Sequence, residues 1–115
     1  MMKTIKRGEI YWVDWGKGKG SEQSGVRPAL IIQNDIGNEV SPNTIVASLT
    51  TASNKPYPFL VHFKAKESGL PEDSTVDLAS IVTIGKARLG DKCGQLSKDR
   101  MREVNTAICV SLGID

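Results

Sequence analysis

The chain has 115 residues, enough for one domain with a real core (residues 1–115) and too few for a second. Its 39% hydrophobic and 24% charged content is that of a soluble globular protein, and a net charge of only +2 leaves any nucleic-acid binding to a local patch. Cys93 and Cys109 have neither metal-ligand spacing nor an adjacent histidine, so they read as reduced thiols and exclude a zinc module. No apolar run approaches a membrane span and residues 1–7 lack a signal peptide's apolar core, so a cytoplasmic protein is expected.

Lys3, Lys6 and Arg7 make a basic start, and Gly8 turns the chain into a strand over residues 9–15. Ile10, Trp12 and Asp14 share one side of it; Tyr11, Val13 and Trp15 share the other. Large residues on both sides predict a strand covered on two faces or buried in a partner. Residues 16–25 hold four glycines among polar residues, a loop that suits either binding or simple connection.

The second strand covers about residues 26–33, with Ala29, Leu30, Ile31 and Ile32 as its buried run. Pro28 holds Arg27 extended and withholds a ladder donor, so the strand begins here or lies at an edge. A guanidinium fixed beside a Gly-rich loop suits an anionic oxygen such as a phosphate. An ordinary surface arginine ahead of a core strand looks the same locally.

Residues 34–38 and 41–43 are rich in turn formers, and residues 44–51 read as a third strand. If strands two and three pair antiparallel with Gln33 opposite Thr44, Arg27 falls directly across from Thr50, with Cβ atoms about 5 Å apart. A guanidinium and a hydroxyl then meet at the sheet end that carries the glycine loop.

A loop at 52–56 precedes a fourth strand over 57–64, where His62, the only histidine, has no acidic or nucleophilic neighbour and reads as structural. Residues 68–73 are a turn, and its Glu72-Asp73 pair reads as surface solvation. Residues 74–78 and 80–84 are short strands. In the basic segment that follows, Lys86, Arg88 and Lys92 suit a phosphate backbone or a solvated edge. Ser97 caps a last helix with Asp99 in its first turn; Met101, Val104, Ile108 and Leu112 form its apolar stripe, and Gly113 ends it. P-loop, nucleophile-elbow and Rossmann patterns are missing.

Arg7-Gly8-Glu9-Ile10-Tyr11-Trp12, Gly20-Ser21-Glu22-Gln23 with Gly25-Val26-Arg27-Pro28, Leu30 to Asp35, and Leu49-Thr50-Thr51 occur in order at set spacings. Together they resemble the MazF/PemK family of toxin endoribonucleases, over nearly the whole chain. The resemblance implies a mainly β fold with a C-terminal helix, a small SH3-like or CcdB-like antiparallel β-barrel acting as a homodimer. It also implies metal-independent, cofactor-free cleavage of single-stranded RNA, messenger RNA first, and inhibition by an antitoxin carrying an acidic, partly disordered segment. The family's catalytic arginine and threonine fall on Arg27 and Thr50, and its loop glutamate falls on Glu22. Trp15, Lys17, Lys19, Ser21, Gln23, Thr51, Ser53, Ser80, Lys86 and Arg88 are the expected RNA contacts. The chain departs from the family at Ala79-Ser80, where relatives often carry a carboxylate or glutamine. The rival readings are a non-enzymatic, CcdB-like toxin that binds a protein target such as gyrase, and a relative that only binds RNA or antitoxin.

Overall fold

The computed structural model of the chain describes residues 4–16 and 25–115. Its elements are β1 (Glu9–Asp14), β2 (Val26–Ile31), α1 (Asp35–Val40), β3 (Asn43–Thr51), β4 (Leu60–Phe63), α2 (Ala65–Ser68), β5 (Ser74–Gly85), a 3-10 turn (Lys86–Arg88), β6 (Leu89–Gln95) and α3 (Lys98–Leu112). The strands form one antiparallel sheet in the order β4-β5-β3-β2-β1-β6. Among the described residues β4 and β6 are its two edges, so the barrel-like sheet is not closed.

Alternation in the strands decides the two cores. Ile10, Leu30, Ala47, Leu49, Val61, Phe63, Val76 and Leu78 enter the main core, which Val104 and Ala107 of α3 close. Their neighbours Tyr11, Val13, Ala29, Ile31 and Val46 turn to a second core with Ile5, Ile84 and Leu89. β1 gives Ile10 to the first core and Tyr11 and Val13 to the second, but Trp12 and Asp14 are exposed, so the cover expected on both faces is complete on one side only. Arg7 ties this frame together: its backbone N–H donates to the Asp35 carboxylate (2.7 Å), its Nε to the Ile32 carbonyl and its Nη2 to Asn105. Tyr11, buried beside Glu9, has its phenol pKa pushed up to about 12, first by burial and then by that carboxylate.

Five local expectations are corrected. Residues 35–40 form a short helix where turn formers predict a loop, because the Asn34 side chain accepts from Gly37 N–H (2.8 Å) and caps it. The fourth strand is shorter than residues 57–64: Leu60 N–H closes a turn onto the Tyr57 carbonyl, and the Tyr57 and Phe59 rings stack at 5.3 Å. A short helix, α2, fills Ala65–Ser68, ahead of and overlapping the predicted turn. The two strands predicted over 74–84 are one, β5, with a bulge. Ala47 pairs with Ile81 but Ser48 with Asp77, which leaves Leu78, Ala79 and Ser80 unmatched. Finally, Leu112 is 60% exposed; Ala107 is buried, and Met101 and Ile108 pack beside it. Ser97 and Gly113 cap α3 as read, the latter in the left-handed region at φ 72.

Candidate active site

The predicted register between β2 and β3 is the one observed: Ala29 lies opposite Ser48, Leu30 opposite Ala47 and Ile31 opposite Val46. Carried two residues further, it puts Arg27 level with Thr50, past Pro28, which has no N–H to give the ladder. Arg27 is in turn paired with Val13, Thr50 with Thr75, and Thr75 with His62. Because opposed residues share a face, Arg27, Thr50, Thr75 and His62 form one polar row across four strands. The second core fills this face further along β1, β2, β3 and β5 and reaches the level of the row only at Val13, opposite Arg27.

Arg27 and Thr50 both line a hollow of about 180 Å³. Its walls are apolar, from Trp12, Pro28, Leu49 and Leu70, with Thr51, Ser74 and Glu72 at the polar side. Glu72, read from sequence as a solvated surface residue, is thus the carboxylate of this hollow. The Thr50 hydroxyl donates to the Thr51 carbonyl at 3.1 Å and keeps its capacity to accept.

A larger hollow of about 500 Å³ adjoins the first through Ser74 and is lined by residues 52–56, His62, Lys64, Asp73 and Arg100. Its cations are largely compensated: Lys64 pairs with Asp73 (3.6 Å), and Arg100 pairs with Glu67 (2.9 Å) and Glu103 (2.8 Å). The smaller hollow, the candidate reaction hollow, joins the strand-fixed guanidinium of Arg27 to the Thr50 hydroxyl.

The other predicted contacts divide. Thr51 lines the reaction hollow, and Ser53 lines the larger one while its N–H donates to Thr75 Oγ1 at 3.1 Å. Ser80 sits in the β5 bulge, its hydroxyl donating to Asp77 Oδ2 (3.1 Å) while Asp77 Oδ1 accepts from Ala79 N–H (2.9 Å). Arg88 is exposed beside Asp14 and Gly16, where the glycine loop departs. Trp15 is half-buried against the second core, and its indole N–H has no partner among the described residues. Lys86 is corrected: it is 7% exposed, and its ammonium donates to the Asn38 carbonyl, so it belongs to the interior. Lys92 pairs with Glu9 at 3.0 Å. Lys17, Lys19, Ser21, Glu22 and Gln23 lie outside the described residues. Thr75 is the residue that sequence reasoning missed; only the pairing of β5 with β3, a long-range fact, places it opposite Thr50.

The profile of PemK-like, MazF-like toxins of type II toxin–antitoxin systems matches residues 6–112. The chain is 45% identical over 112 residues to the endoribonuclease MazF of Staphylococcus epidermidis, covering 96% of this chain and 93% of that one. A mycobacterial endoribonuclease solved in complex with its cognate antitoxin superposes with a TM-score of 0.80 at 29% identity, over 96% of this chain and 97% of that one. MazF from Deinococcus radiodurans shares the fold with the same TM-score at 23% identity, over 97% and 99% of the two chains. With its sequence and its fold in agreement, the chain belongs to the PemK/MazF family of type II toxins.

Proposed function

We propose that the chain is an endoribonuclease toxin that cleaves single-stranded RNA at the Arg27–Thr50 hollow. The observation that carries this is the convergence of a strand-fixed guanidinium and a threonine hydroxyl on one small, apolar-walled hollow. The ribose 2′-oxygen attacks the adjacent phosphorus as its proton leaves. The bond from phosphorus to the 5′-oxygen breaks, and that oxygen takes up a proton. The products are a 2′,3′-cyclic phosphate and a 5′-hydroxyl. Since the nucleophile belongs to the substrate, the chain's work is to hold the phosphate in line and to stabilise charge on its equatorial oxygens.

Arg27 offers two parallel N–H donors to those oxygens, and Thr50 swings its hydroxyl from the Thr51 carbonyl to give a third. Exchanging one hydrogen bond for another of this kind costs little, about 1 kcal/mol or less. Arginine, with a pKa above about 12, is a poor proton acceptor. Two carboxylates are the candidates for that step: Glu22 of the glycine loop, by family resemblance, and Glu72 at the rim of the hollow. Thr51 and Ser53 extend the RNA's path along the sheet end, with Trp15 and Arg88 as further contacts; Lys17, Lys19, Ser21 and Gln23 are contacts by family resemblance. An acidic, partly disordered antitoxin segment fits the same ground by charge. The chain works in the cytoplasm as a homodimer in this reading.

The test is incubation of the purified chain with a long RNA in excess chelator, followed by mapping of new 5′ ends. Cleavage at a short recurrent sequence is expected from the wild type. Arg27→Ala should lose about a hundredfold or more in rate while folding normally. Equal cleavage by that variant overturns the site; binding of RNA without cleavage by the wild type returns the non-enzymatic reading.

A further inference from the structure

His62 stands at the far end of the polar row from Arg27, and both of its ring nitrogens are engaged. Nε2 lies 3.0 Å from the Lys55 carbonyl oxygen, and Nδ1 lies 2.8 Å from Thr75 Oγ1. A carbonyl can only accept, so Nε2 carries the proton. In the neutral ring Nδ1 is then an acceptor, and the Thr75 hydroxyl must donate to it. That hydroxyl accepts in turn from the Ser53 N–H at 3.1 Å. Lys55 N–H closes the set by donating to Ser53 Oγ at 3.1 Å.

The consequence is local and geometric. Residues 52–56 leave β3 directly after Thr50 and Thr51, and they line the larger hollow that meets the reaction hollow at Ser74. Ala52 N–H donates to the Asp73 carbonyl (3.1 Å) and so holds the start of the segment to the chain just ahead of β5. Beyond it, the segment is tied back to the sheet at Ser53 through Thr75 and at Lys55 through His62. Thr75 is the β5 residue opposite Thr50, so the tether shares a strand pair with the catalytic hydroxyl. The ring itself is exposed and contributes little burial.

We propose that His62 is a positioning residue for substrate: through the Lys55 carbonyl and the Thr75 hydroxyl it fixes residues 53–55 at the height where RNA flanking the scissile linkage must pass. This deepens the proposed endoribonuclease reading and rests on it. His62 touches neither the phosphate nor the attacking oxygen. Its loss therefore loosens a binding wall and leaves Arg27 and Thr50 in place.

His62→Phe keeps a ring of similar size and removes both bonds; His62→Gln keeps a donor able to reach the Lys55 carbonyl. With a short RNA holding one cleavage site, His62→Phe should raise KM roughly tenfold, the worth of one or two hydrogen bonds withdrawn from the bound state. Its kcat should stay within about twofold of wild type, and His62→Gln should recover most of the KM. Amide hydrogen exchange at Ser53, followed without RNA, should quicken in His62→Phe and much less in His62→Gln. An unchanged KM in His62→Phe, or a loss confined to kcat, overturns the proposal. If the wild type cleaves no RNA, the endoribonuclease reading falls by itself. The Ser53 amide then decides the tether, with quickened exchange upholding it and unchanged exchange overturning it.

Discussion

Along β3, Ala47 and Leu49 enter the core closed by α3, while their neighbours Ser48 and Thr50 turn to the other face. Under α3 the core is apolar and shielded, with Leu30, Val76 and Leu78 fully buried. On the opposite face the second core stops partway, and the last cross-strand row is Arg27, Thr50, Thr75 and His62. Adjacent residues of one strand thus face a closed core on one side and the polar row on the other, and Leu49 reaches the hollow that Arg27 and Thr50 line as well. A buried apolar layer lies directly behind the row and supports the strands that carry it.

The sharpest way to break the comparison is to cut each face separately. Leu30→Ala empties a fully buried site in the main core and should cost about 2–5 kcal/mol of stability. Urea unfolding measures it, and cleavage per folded molecule should stay near wild type. Thr50→Val does the reverse: the side chain is exposed, so the unfolding midpoint should hold, while cleavage falls about a hundredfold from loss of one donor. If Thr50→Val unfolds early, or Leu30→Ala cleaves slowly while folded, the two faces are not separable in this way.

Much of this division is legible in the chain. The continuous apolar run at 29–32 and the apolar-rich stretch at 44–51 mark the two strands. Setting Gln33 opposite Thr44 across the connection gives the register that Ala29, Leu30 and Ile31 adopt, and that register carried to the strand ends brings Arg27 level with Thr50. The pieces that escape are non-local. Lys86 looks like a phosphate contact in a basic segment, and only the Asn38 carbonyl, 48 residues away in sequence, makes it an interior residue. The β5 bulge looks like a strand end because Ala79 and Ser80 interrupt the apolar pattern, whereas Asp77 folds that interruption into a continuing strand. α1 is short, with Ile36 and Val40 exposed, so no apolar stripe announces it beyond the Asn34 cap. His62 reads as structural from its neighbours in sequence; the Thr75 hydroxyl reaches its Nδ1 only through the pairing of β4 with β5, and the Lys55 carbonyl reaches its Nε2 from the loop that precedes β4.

A smaller effect tests how tightly the closed side is built. A Cβ on Gly94 would lie 2.7 Å from the Ser68 carbonyl oxygen, with Leu70 and Ile10 close behind. Backbone cannot move aside as a side chain can, so Gly94→Ala should cost about 1–3 kcal/mol through forced shifts where α2 meets β6. Thermal melting reads this. Cleavage should be unaffected unless Leu70, which lines the reaction hollow as well, is displaced. A melt unchanged from wild type would show that α2 and β6 can part without cost, and the closed side would then be softer than its burial implies.

The smallest effect lies between the faces, where Arg7 fastens the N-terminal segment to α1. Asp35 has its pKa held below the usual carboxylate value, first by the Arg7 backbone N–H and then by the Asn38 side chain and the Lys6 and Arg7 charges, with burial opposing. A carboxyl whose folded pKa is depressed binds its proton more weakly when folded than when unfolded. Its contribution is therefore complete above the unfolded value and is lost as pH falls through the folded one. Asp35→Asn keeps an acceptor for the Arg7 N–H but no charge, so it should melt below wild type at neutral pH, by less than about 1 kcal/mol for so exposed a group. The gap should close in acid, where wild-type Asp35 is itself protonated. A gap that persists at low pH would mean that the shape of this contact matters and its charge does not, and Arg7 would then act on the frame through its bonds to Ile32 and Asn105 alone.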